Sequence, residues 1–189
     1  MTRVLRNRLL VAAFVIVVIL ISPRLPDLAT WLAAAVVFPF IGVALWVTLP
    51  FQRARTLLSK AQYDDAAMQI AAFERAMLES PWKSKVASLA VGLYTSNPVA
   101  ASRNTLAAIR LEQGRLKDAA RSLTTSLELD PGYAVPWANR AVLAAMEGDR
   151  ARAEEALAKA KSLGFAPRML SKVIEDKLAA AAVATSPTT

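Results

Sequence analysis

Two pairs of adjacent carboxylates, Asp64-Asp65 and Glu154-Glu155, are the first places to look for acid–base chemistry. Consecutive helical positions point in different directions, so neither pair forms a ready-made dyad. The chain has no histidine and no cysteine. That removes Ser-His-Asp and Cys-His nucleophiles, the commonest proton shuttle, and any thiolate zinc site. The 6 glycines are scattered, and no two lie close enough to form a phosphate-cradling loop. Nothing marks a lysine as base for a serine or threonine nucleophile. The residue types therefore predict no enzyme: no catalytic residue, no metal, no cofactor and no small-molecule substrate.

Charge points elsewhere. The formal net charge is +8 in 189 residues. A basic chain raises the question of nucleic acid. Its aromatics, however, are few and are not interleaved with Arg and Lys as a base-stacking platform requires. The basic residues instead flank apolar segments, where a bilayer places them. The lipid bilayer is the expected partner, and nucleic acid is not.

The first apolar run is "LLVAAFVIVVILI", residues 9–21. As a helix it covers about 20 Å, short of the roughly 30 Å hydrocarbon core. Val4 and Leu5 extend it backward, and Arg6, Arg8 and Arg24 can snorkel, giving a span over 4–23. A secretory signal is the other reading, and the lack of a convincing small-x-small cleavage site favours the span. The second run, "LATWLAAAVVFPFIGVALWVTLPF", carries no charge over residues 28–51. Trp31 and Trp46 stand near its ends, and the interior holds Pro39 and Gly42, which membrane helices carry more often than soluble ones. It predicts a span over 28–50. Arg3, Arg6 and Arg8 precede the pair, and Arg53, Arg55 and Lys60 follow it. The expected topology is a multi-pass hairpin over 1–51 in a bacterial inner membrane, with the C-terminal domain cytoplasmic.

Beyond Phe51 the apolar residues recur at three- and four-residue spacing, so the remainder is expected to be helical and the fold class all-α. When residues 100–133 are set above 134–167, six identities fall at an offset of 34: Ala100/Ala134, Ala107/Ala141, Gly114/Gly148, Ala119/Ala153, Leu123/Leu157 and Leu129/Leu163. All are small residues or leucine, the types that close helix crossings use. Gly114 and Gly148 fall where a first helix must stop and turn.

This pattern resembles the tetratricopeptide repeat, a 34-residue helix–turn–helix unit. Trp137, Ala141, Ala153 and Leu157 match the motif in the second copy, as do Leu106, Ala107, Ala119, Leu123 and Pro131 in the first. Arg103 departs from the expected Trp, and Arg110 and Ala144 from the expected Tyr. The resemblance implies a short α-solenoid over 99–165. Residues 52–98 would be juxtamembrane helices with a degenerate copy, in which Tyr63 and Ala66 open a second helix. Residues 166–184 would form a capping helix, and 185–189 a disordered tail. Helix 81–96 reads as core through Trp82, Val86, Leu89, Ala90 and Leu93, with an interfacial helix as the competing reading.

The resemblance also implies a concave face lined by first helices. Here it would carry Asn104, Ala108 and Glu112, then Val135, Asn139, Val142 and Met146. Asn139 matches the family's asparagine that often bonds a ligand's backbone. The face suits a helix or extended peptide, or the chain's own capping helix. The expected role is a membrane-anchored scaffold binding a protein partner. The other reading is an accessory subunit of a membrane transport, secretion or envelope-assembly complex, which meets its partners through its spans.

Overall fold

The computed structural model describes residues 27–90, 93–165 and 167–185. The first apolar run and the last four residues lie outside these. Among the described residues there are eight helices and no strand: α1 (Asp27–Ser59), α2 (Tyr63–Glu79), α3 (Pro81–Leu89), α4 (Pro98–Glu112), α5 (Leu116–Leu129), α6 (Ala134–Met146), α7 (Arg150–Ser162) and α8 (Leu170–Thr185).

The expected second span and the expected juxtamembrane helix are a single element. Helix α1 has 33 residues, about 50 Å of continuous helix, with Pro39 and Pro50 inside it. Its two parts have different surroundings. Phe38 is 71% exposed, Leu45 65% and Trp46 59%, whereas Val47, Phe51 and Ala54 are buried against the following helices. Among the described residues α1 is the one helix long and apolar enough to cross a membrane. The multi-pass arrangement expected from sequence involves residues 4–23, which are not described.

Three helical hairpins follow from one turn chemistry. Helix α1 turns into α2 at Ala61, α4 into α5 at Gly114, and α6 into α7 at Gly148. All three residues have positive φ, at 57°, 70° and 77°. At each turn the next N–H reaches back five residues. Gln62 donates to the Leu57 carbonyl at 3.0 Å, Arg115 to Arg110 at 2.8 Å and Asp149 to Ala144 at 2.9 Å. This left-handed C-cap satisfies carbonyls that a helix end would otherwise leave open. Gly164, at φ 88°, ends α7 in the same way.

Gly114 and Gly148 are 34 residues apart, whereas Ala61 precedes Gly114 by 53. Helix α3 and the loop after it occupy the additional length. That loop is pinned to the next hairpin. Asn97 caps α4 by accepting from the Val99 and Ala100 N–H groups, and its amide donates to the Leu129 carbonyl at 3.3 Å. The Thr95 hydroxyl donates to Asp130, which also accepts from Gly132 N–H at 3.1 Å.

The core runs the length of the stack. Phe51 meets Phe73 with ring centroids 5.3 Å apart, among Val47, Ala66, Ile70, Met77, Leu93 and Ile109. Fully burying a side chain such as Phe73 or Ile70 contributes about 1.5–3 kcal/mol. The second hairpin contributes Ala107, Leu111, Ala119 and Leu123, which pack against Leu143 of α6. The third packs Ala141, Ala145, Ala153 and Ala156 against Ile174 and Leu178 of α8. The preponderance of alanine allows close helix approach, and it explains why the matched positions in the 34-residue offset are small. The core stripe expected of residues 81–96 holds at Leu93 and partly at Val86. It fails at Trp82 and Leu89, which are 50% and 40% exposed. Helix α3 turns Ala87 inward instead.

Candidate partner-binding faces

The expected groove residues all lie on α4 and α6. Asn104 is buried and Glu112 is exposed, while Val135, Asn139, Val142 and Met146 are half-buried. Asn139 is already engaged, its amide donating to Asn104 Oδ1 at 2.8 Å. This pair bridges successive hairpins inside the stack and so satisfies Asn104 where water is excluded. Val142 and Met146 pack on the buried Leu111–Leu123–Leu143 cluster. Helix α8 lies along α6, with Ile174 and Leu178 against Ala141 and Ala145. The structure thus brings Asn104 and Asn139 together. It uses Val142 and Met146 for packing and leaves Glu112 facing solvent.

An exposed ion pair fastens α8. Arg150 Nη1 and Nη2 each donate to Glu175 at 2.8 Å, a two-pronged contact between α7 and α8. This hydrogen bonding holds the Glu175 carboxyl below its ordinary value and raises the Arg150 guanidinium. The Arg152 backbone N–H, and then its side chain, lower the Asp149 carboxyl, which caps α7. Hydrogen bonds from Arg121 and Arg115 lower Asp118 near the start of α5.

A second concavity opens between hairpins on another face. It measures about 290 Å³ and is walled by residues of α5, α6 and α7, among them Thr124, Trp137, Arg140, Glu147, Arg152 and Glu155. None of the seven expected groove residues lines it. Arg140 stacks over the Trp137 ring at 5.6 Å, and the indole N–H points to the Pro131 carbonyl at 3.5 Å. Two of the three departures from the repeat pattern make polar ties between helices. Arg103 and Ser102 both donate to Glu74, tying α4 to α2. Arg110 donates to the Asp118 carbonyl at 3.0 Å and to the Ser122 hydroxyl, and burial pushes its guanidinium below its ordinary value. Ala144 leaves room at the wall of the cavity. Sequence reasoning did not foresee these polar ties, because they join residues 8 to 29 positions apart.

The described architecture is a stack of helical hairpins hung from a long apolar helix. Comparison with protein-family models, with curated proteins and with solved structures finds no match.

Proposed function

We propose that this chain is a membrane-anchored, tetratricopeptide-like scaffold that holds a protein partner at the cytoplasmic face of a bacterial inner membrane. The observation that carries the proposal is the double role of α1. Its first part leaves Phe38, Phe40, Ile41, Val43 and Leu45 exposed, and its last part is core of the helical stack. Such a row of large apolar side chains is costly in water and favourable in lipid. Three hairpins with one turn geometry support the repeat reading, and three is about the number a solenoid needs.

Residues 4–23 would complete a hairpin of spans, with both ends cytoplasmic as the flanking arginines favour. The tether raises the local concentration of the binding face, so weak contacts suffice. Glu112 and Val135 are the groove positions accessible to a partner without disturbing the Asn104–Asn139 bridge. The accessory-subunit reading draws support from the same exposed row on α1, which a neighbouring span could cover. Exchanging α1's apolar segment for an unrelated one would abolish function under that reading and spare it under the scaffold reading.

The test is photo-crosslinking in intact cells from probes at Glu112 and Val135, with Lys161 on α7 as control. The scaffold reading expects one discrete protein adduct from the first two positions and none from the third. Equal labelling from all three, or no adduct at all, contradicts it. Reporter fusions after residues 26, 60 and 189 check topology, and an external signal from the last overturns the cytoplasmic assignment.

A further inference from the structure

Helix α3 lies against α1 near the point where the apolar segment gives way to packed core. One lysine marks the level. Lys83 Nζ stands 5.3 Å from the ring centroid of Trp46 on α1 and 5.8 Å from that of its neighbour Trp82. Both indoles are more than half-way out of the protein or close to it, at 59% and 50% exposed. Trp82 and Leu89 are seven positions apart and share one helix face, while the buried Ala87 sits roughly 140° away. Residues 80–96 contain Lys83 and Lys85 and no acidic residue.

The length of α1 sets the depth of this cluster. From residue 28 to 46 a helix rises about 27 Å, close to the roughly 30 Å hydrocarbon core. If α1 spans, Trp46 falls at the membrane–water boundary, where indole rings are favoured. The shared lysine then carries Trp82 to the same level. We propose that α3 is an interfacial helix that docks on an anionic bilayer. Trp82 and Leu89 enter the headgroup region, and Lys83 and Lys85 meet lipid phosphates. This inference rests on the spanning role of α1. Its consequence is orientation. A lone span leaves the domain free to rotate about the span axis, whereas a second contact through α3 fixes which face of the hairpin stack looks away from the membrane.

The test uses the full chain in vesicles of phosphatidylcholine alone or with added phosphatidylglycerol. One version keeps Trp82 as its sole tryptophan, with Trp31, Trp46 and Trp137 replaced by phenylalanine. A second version keeps only Trp46. Quenching by lipids brominated at shallow and deep acyl positions reads the depth of each indole. The expected result is Trp82 quenched by shallow bromines more than deep ones, and more strongly with phosphatidylglycerol. Lys83→Gln and Lys85→Gln should each weaken the docking equilibrium about fivefold in the anionic vesicles. Lys85→Gln, at an exposed position, keeps this arm decisive if Lys83→Gln perturbs folding. Trp82 left unquenched in both lipids while Trp46 is quenched overturns the proposal and leaves the span intact. If neither is quenched, α1 does not lie in the bilayer, and the anchoring reading falls with it.

Discussion

Exchanging glycine and alanine at the hairpin turns should have opposite signs at equivalent positions. Gly114 sits at φ 70° with no atom within 4 Å of where a Cβ would stand, so Gly114→Ala meets no steric obstacle beyond its own backbone. Holding alanine in the left-handed region costs roughly 1–2 kcal/mol. Alanine also restricts the unfolded chain, which returns about 0.4–1 kcal/mol. The net expectation is a loss of about 1 kcal/mol. Ala61 occupies the same conformation at φ 57° and is exposed, so Ala61→Gly should gain about as much as Gly114→Ala loses. The assay is thermal unfolding of the full chain in mild detergent, followed by far-ultraviolet circular dichroism. For a helical domain of this size, 1 kcal/mol corresponds to a shift of about 3–5 °C in Tm. A fall in Tm for Ala61→Gly, or no change for Gly114→Ala, would refute the claim that the α1–α2 hairpin shares the turn of the other two.

Other perturbations follow from the polar ties. Asn139→Ala leaves the buried Asn104 carbonyl without its donor and should cost about 1–3 kcal/mol. Adding Asn104→Ala should cost much less than a second independent loss, which a double-mutant cycle by denaturant unfolding measures. Acid should loosen α8. The Glu175 carboxyl is held below its ordinary value by Arg150, so its contribution is fully present above the unfolded value of about 4.3. That contribution is lost as pH falls through the lower, folded value. Glu175→Gln should therefore show a smaller drop in Tm between neutral and acid pH than the parent chain.

The helical class and the positions of two turns were legible in the sequence because they depend on local signals. Apolar spacing marks helix, and Gly114 and Gly148 supply the left-handed residues that end one. The third turn was marked by Tyr63 and Ala66 as the opening of a second helix, but Ala61 itself carries no glycine signal, and its interval from Gly114 is lengthened by α3. The single-helix nature of α1 was equally hard to read. The end of the charge-free run at Phe51 suggested a boundary between span and domain, yet the chain continues as helix through Pro50, with Phe51 already anchored on Phe73. The exposure of Trp82 depends on what lies beside α3, and no local pattern contains that. Asn139 illustrates the limit at the candidate face. The resemblance to a repeat placed it on an expected groove, but its bond to Asn104 joins residues 35 apart and needs the packed structure to be seen.

Helix α1 is proposed to be both a membrane span and the first helix of the hairpin stack, as one rigid rod. The chain has no cysteine, so spin labels can be placed at will. Cysteines introduced at the exposed positions Phe38 and Arg55, labelled and studied in lipid nanodiscs, report the distance along α1. A continuous helix through Pro39 and Pro50 predicts one narrow distribution, with backbone positions about 26 Å apart. A broad distribution, or a maximum many ångströms shorter, would show a hinge within α1 and would rule out a single rigid helix.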